Sequence, residues 1–126
     1  MGNTSKKKVL VADDDRSMRE VLKFILLEGK FDVVGEAVNG EMAISMAENL
    51  KPDIVCLDIN MPRVDGIHAL EQIKAKLPST VVIMISSSAT PDNVRDAMGK
   101  GAAGFIVKPF SAGKVLDAFN KYIRPA

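Results

Sequence analysis

A single cysteine, Cys56, leaves no internal disulfide and argues against the cross-linked scaffolds of small secreted proteins. No apolar run approaches the roughly 20 residues that a transmembrane helix needs. The lysines at 6–8 lead only into the short apolar stretch 9–12, which is no secretory signal. Charge of one sign is missing too: 17 Lys and Arg against 16 Asp and Glu leave a net +1. No global field therefore draws the chain to nucleic acid or to an anionic membrane. These absences predict a cytoplasmic protein without direct nucleic-acid binding or membrane insertion. The 126 residues are about one domain's worth, which excludes a two-domain enzyme in this chain. With 47% hydrophobic and 26% charged residues, there is enough apolar mass for a core and enough charge for a solvated surface.

What is present is an alternation. After a polar tail, 1–6, short apolar runs at 9–12, 31–38, 54–57, 81–85 and 105–107 alternate with segments of helical period. Most runs lack polar alternation, as strands covered on both faces of a parallel sheet do. Met18, Val21, Leu22, Ile25 and Leu26 follow helical spacing, as do Ala43, Met46, Ala47 and Leu50, then Val94, Ala97 and Met98. Helices at about 65–77 and 112–123 carry the same stripe less regularly, and Gly29, Gly40, Pro52, Gly66, Pro78, Pro91 and Gly101 sit near the predicted boundaries. Repeated strand–helix units with short connections predict an α/β fold: right-handed crossovers and a doubly wound parallel sheet. Ligands of such sheets sit beyond the carboxyl ends of the strands.

Polar residues collect at those ends: Asp13, Asp14 and Asp15 after the first strand, Asp58 after the third, Ser86, Ser87 and Ser88 after the fourth, Lys108 and Pro109 after the fifth. Asp15, or Ser17, reads as a helix N-cap, and serines are ordinary turn residues. Asp13, Asp14 and Asp58 resist that reading, because crowded carboxylates repel and raise one another's pKa values. A cation should hold them, either Lys108 or a bound divalent ion. Oxygen ligands without histidine or cysteine favour a hard ion such as Mg²⁺. A carboxylate beside a metal, a lysine and a hydroxyl suits acceptance of a phosphoryl group, with Asp58 as nucleophile and Lys108 and Ser86 stabilising the phosphoryl oxygens.

The segments VLVADDDRSMR, KPDIVCLDINMPRVDG, the strand end Ile85-Ser86 and GAAGFIVKPF together resemble the CheY-like receiver domains of response regulators, over essentially all of 7–123. The resemblance implies one domain over 7–124, with five parallel strands in the order 2-1-3-4-5 flanked by five helices. It makes Asp58 the phosphoacceptor and Asp13, Asp14, Asp58 and the Asn60 carbonyl the Mg²⁺ site, with Asp13 acting through water. It makes Lys108 the phosphate-binding lysine, Ser86 the switch hydroxyl and Phe105 the switch aromatic, where many relatives have tyrosine. It also puts a cis bond before Pro109 and sets Asn60 and Ser88 beside the path of water attacking the phosphoryl group. Ser87 stands where relatives usually have alanine or glycine, which leaves a choice between Ser86 and Ser87; counting back from Lys108 favours Ser86. The implied partners are a histidine kinase or histidine phosphotransfer protein and a downstream target, met by the face of the fourth helix, fifth strand and fifth helix. The expected form is a monomeric, stand-alone regulator, consumed and regenerated as a signal and so not an enzyme. The alternatives are a receiver cut from a longer DNA-binding regulator and a phosphorylation-independent scaffold of the same fold.

Other residues carry no such weight. An aspartyl-phosphate phosphatase would want an acid where Asn60 stands, and a flavin carrier would not place Asp13, Asp14 and Asp15 beside a phosphate. His68 has no ligand companion. Cys56 and the seven methionines read as core filling, and Lys6, Lys7 and Lys8 as a solvated tail.

Overall fold

Pleating sends alternate residues of a strand to opposite faces, so a strand apolar at every position needs cover on both sides. In the computed structural model, which describes residues 6–123, β3 (Ile54–Leu57) is such a strand, buried at every residue. Of the predicted tail only Lys6 is among the described residues, and residue 124, the predicted end of the domain, lies outside them. The elements run β1 (Lys8–Ala12), α1 (Arg16–Glu28), β2 (Asp32–Ala37), α2 (Gly40–Leu50), β3, α3 (Gly66–Lys76), β4 (Val81–Ser86), α4 (Pro91–Gly99), β5 (Gly104–Val107) and α5 (Ala112–Ile123). All strand pairs are parallel, in the order β2-β1-β3-β4-β5.

The pleat divides the core in two. Leu10, Val55, Leu57, Val82 and Met84 face Ala43 and Ala47 of α2, Leu70 and Ile73 of α3, and Ala97 of α4. Val9, Val11, Ile54, Cys56, Ile83 and Ile85 face Leu22, Ile25 and Leu26 of α1 and Val115 and Phe119 of α5. Phe31 and Phe119 close this second layer edge to face, with ring centroids 5.5 Å apart.

The carboxyl ends of the strands share one edge, and each following helix is started there by a side chain. Asp15, Asn39, Asp65 and Thr90 accept backbone N–H bonds from Ser17, Met42, His68 and Asn93, and Ser111 accepts one from Lys114. Gly66 brings α3 against the loop after β3: a Cβ there would lie 1.9 Å from the Asp58 carbonyl oxygen.

Three apolar assignments differ from the sequence pattern. Val21 is 47% exposed, on the flank of α1. In α4 the stripe reduces to Ala97, with Met98 44% exposed, because this short helix is seated through its smallest apolar residue. Phe31 leaves the second strand and serves as a core plug in the turn before it, and Val38 lies beyond the strand's other end.

Gly66→Ala is expected to lower stability by about 1–3 kcal/mol, the ordinary range for overpacking, because the obstacle is backbone. Gly99→Ala meets nothing within 4 Å and is expected to gain about 0.5 kcal/mol from helix propensity. Urea denaturation of the two variants checks the contrast.

Candidate functional site

The sheet ladder continues one residue past the strands and delivers the site. Asp13 N–H donates to the Ala37 carbonyl at 3.0 Å, Asp58 N–H to that of Ala12 at 3.1 Å, and Lys108 N–H to that of Ser86 at 3.0 Å. The functional side chains thus leave backbone that is already pinned. Asp13 is 1% exposed and Asp58 6%. Between them lies the Lys108 ammonium, 2.7 Å from Asp13 Oδ2 and 3.0 Å from Asp58 Oδ2. The second oxygens are occupied as well, since Asp13 Oδ1 accepts from Asp15 N–H at 2.9 Å and Asp58 Oδ1 from Asn60 N–H at 3.2 Å. Asp14 is exposed at the rim.

Burial pushes the Asp13 carboxyl above its ordinary pKa, and the hydrogen bonds from Lys108 and Asp15 offset this only in part. Asp58 contributes the smallest of the causes. The crowding expected from the sequence is thus real, but loss of water outweighs repulsion at Asp13. Burial works to lower the Lys108 ammonium, yet its bonds to Asp13 and Asp58 outweigh that and hold it above its ordinary value. Lys108 therefore stays charged, one cation among three carboxylates.

Asp13, Asp14 and Asp58 each offer an oxygen within 4.8 Å of the others. Such a donor set, all oxygen and partly open to solvent, fits a hard divalent ion of the Mg²⁺ type. His68 is not a member of this group; it is exposed, and its backbone N–H is taken by Asp65. Cys56 is buried with its thiol pushed far up by burial, as a core residue should be.

Burial separates the two serines. Ser86 is fully buried at the end of β4 and accepts at Oγ from Ser88 N–H at 3.1 Å, while Ser87 is exposed. Phe105 is half-buried, packed against the layer that contains α4. Beside it opens a cleft of about 510 Å³ lined by Phe105, Lys108, Lys114 and Asp117. The bond between Lys108 and Pro109 is cis. The Asn60 side-chain amide donates to Ser88 Oγ, joining the loops after β3 and β4.

Arg19, in α1, is a support that sequence reasoning missed. It donates through Nη1 to the Asp13 carbonyl at 2.8 Å and through Nε to Glu36 of β2 at 3.0 Å. Lys23 holds the other Glu36 oxygen at 2.8 Å, and this bond, followed by that of Arg19, keeps the Glu36 carboxyl below its usual range. The signal lies in strand pairing: Glu36 stands opposite Val11, two residues before Asp13.

A sequence profile of the response regulator receiver domain matches residues 9–120. The chain belongs to this family. The chemotaxis protein CheY of Listeria monocytogenes is 50% identical over 114 residues, 90% of this chain and 96% of that protein. CheY of Bacillus subtilis is 44% identical, over 90% of this chain and 95% of that one. Among solved structures, one of the CheX-CheY-BeF3-Mg+2 complex from Borrelia burgdorferi matches with a TM-score of 0.91 at 36% identity, over 94% of this chain and 90% of that chain. The protein is thus a CheY-type receiver domain of two-component signal transduction, and the α/β fold and strand order expected from the sequence are those observed. No helix among the described residues is long and apolar enough to cross a membrane.

A carboxyl whose native pKa is raised costs stability once it ionises. The cost is absent below its unfolded value, near 3.8, and complete above its native one. Asp13→Asn in this receiver domain is therefore expected to raise the thermal midpoint by a few degrees at pH 7 in metal-free buffer. The gain should shrink as the pH falls toward 4. An equal or lower midpoint at pH 7 would mean that pairing with Lys108 outweighs burial.

Proposed function

We propose that Asp58 accepts a phosphoryl group from a phosphohistidine of a kinase or phosphotransfer protein, and that the α4–β5–α5 face then engages a downstream target. The observation that carries this reading is the half-buried Lys108 ammonium bonded to both buried carboxylates, Asp13 and Asp58, beside a three-carboxylate group.

The hydrogen bonds around Asp58 support such a transfer. A carboxylate oxygen of Asp58 attacks phosphorus, the P–N bond of the donor breaks, and its electron pair returns to the imidazole. Lys108 uses two of its three N–H donors on Asp13 and Asp58, which leaves the third for a phosphoryl oxygen. The Ser86 hydroxyl accepts from Ser88 and keeps its own proton to donate. Asp13, Asp14, Asp58 and the Asn60 carbonyl would hold Mg²⁺, which when bound offsets charge on the phosphoryl oxygens. The domain assists this transfer and its reversal but is itself altered by them, so we regard it as a signalling module and not as an enzyme.

Phosphorylation adds charge of about −1.5 to −2 and new acceptor oxygens next to Ser86 and Lys108. If Ser86 turns toward them, it vacates space at the end of β4, toward which Phe105 of the neighbouring β5, only half-buried, can move. Such a shift alters the cleft at Phe105, Lys114 and Asp117, a surface open to a partner. The solved complex of a related CheY with CheX supports a protein partner for this chain.

With acetyl phosphate and Mg²⁺, intact mass is expected to rise by one phosphoryl group, and Asp58→Asn or EDTA should prevent the gain. A gain that survives Asp58→Asn would overturn the assignment. Beryllofluoride, a phosphoryl mimic, should move amide resonances out to Phe105 and α4, and Ser86→Ala should diminish that spread. Changes confined to the loops around Asp58 would remove the proposed output face.

A further inference from the structure

Hydrogen bonds connect Asp58 to the fourth helix without passing through Phe105. Asn60 N–H donates to Asp58 Oδ1, and the Asn60 side-chain amide donates to Ser88 Oγ. The Asn93 side-chain amide, in the first turn of α4, donates to the Ser88 carbonyl at 2.9 Å. Ser88 is therefore held through its N–H, its hydroxyl and its carbonyl at once, by Ser86, Asn60 and Asn93 respectively. Asn93 is in turn fixed at its backbone N–H by the Thr90 cap at 3.1 Å. Asp58 is buried while Asn60 is exposed, so the Asn60–Ser88 bridge lies on the solvent side of the phosphoacceptor.

We propose that Asn93 is a positioning residue for loss of the phosphoryl group: through Ser88 it holds the Asn60 side chain across the approach to Asp58. The inference rests on the phosphoacceptor reading of Asp58. In hydrolysis a water oxygen bonds to phosphorus in line with the breaking P–O bond, whose electron pair returns to the Asp58 carboxylate. Inorganic phosphate leaves, and the water's proton goes to it or to solvent. The water must come from the side away from Asp58, where the two loops are joined. With Asn93 in place the joint is closed by a held residue; without it, Ser88 and Asn60 are free to part and water gains room. The seating of α4 thereby sets how long the phosphoryl group survives. A partner that grips α4 and tightens this chain would then lengthen the signal it reads.

Asn93→Asp isolates the bond, because it keeps the shape and an acid in the first turn of a helix favours folding. The variant is expected to keep the parent's thermal midpoint and to shorten the phosphoprotein half-life roughly two- to tenfold, the size set by one neutral hydrogen bond. Asn93→Ala should act in the same direction. Combining Asn93→Asp with Ser88→Ala should add little beyond either change alone, since both break one chain. In the unphosphorylated protein, the Asn60 side-chain amide resonances should shift in Asn93→Asp, a change that a purely structural role would not produce. An unchanged half-life in both Asn93 variants, fully additive effects, or unmoved Asn60 resonances would overturn the proposal. A parent that takes up no phosphoryl group removes the phosphoacceptor reading and this proposal together. Uptake with unaltered decay in the variants removes this proposal alone.

Discussion

Two carboxylates taken out of water must be given a cation, and in this domain that cation is Lys108. Its ammonium reaches Asp13 and Asp58 within 3.0 Å. Removing Lys108 would leave both carboxylates buried without their cation, at a cost of about 3–5 kcal/mol. The arrangement demands that the ends of β1, β3 and β5 be placed to within a fraction of an ångström, although 95 residues separate Asp13 from Lys108. The parallel sheet meets that demand because its ladder continues to Asp13, Asp58 and Lys108 themselves. No strand end can drift without breaking a backbone bond.

The supporting layers answer to the same constraint. Gly66 lets α3 start against the Asp58 carbonyl, and Arg19 ties α1 to the Asp13 carbonyl while gripping Glu36 on β2. Each acts on backbone, leaving the carboxylates to Lys108 and to whatever binds there. Among the described residues, no buried side-chain nitrogen or oxygen lacks a hydrogen-bond partner. That completeness matters here, because in a water-poor site an unpaired polar group costs far more than a paired one contributes.

How much of this is legible in the sequence depends on the range of the interaction. Asp13, Asp58, Ser86 and Lys108 are legible because each ends an apolar run, and a doubly wound sheet gathers such ends at one edge. The Asp15 cap is legible because capping is local. Arg19–Glu36 and Asn93–Ser88–Asn60 are not: the first needs the β1–β2 register, and the second needs two loops brought together by β3 and β4. Val21 and Met98 mislead for another reason. Periodicity marks an apolar stripe, but the width of that stripe actually covered is set by the neighbouring elements, and short α4 covers little. Gly66 is visible as a boundary signal, while its closeness to Asp58 belongs to the folded chain alone.

On the proposed reading of Asp58, the hydrogen bonds bear on where a phosphoryl group there would force change. Lys108 is held by charge-assisted bonds at 2.7 and 3.0 Å and has a donor to spare, so it can meet a new anion with little movement. Ser86 is held differently, by one neutral bond from Ser88 at 3.1 Å, roughly half as strong as a charge-assisted one. If the Ser86 hydroxyl turns away from Ser88 to donate to that anion, the weaker tether yields first. Ser88 then loses one of its three anchors, and the remaining two lead to Asn60 and Asn93. The loop after β4 is thus the part of the site least able to stay as it is. Because α4 is seated on the core chiefly through Ala97, little apolar contact resists its following that loop. On that reading, rigidity at Lys108 and looseness at α4 together would give a local charge a preferred direction in which to be felt.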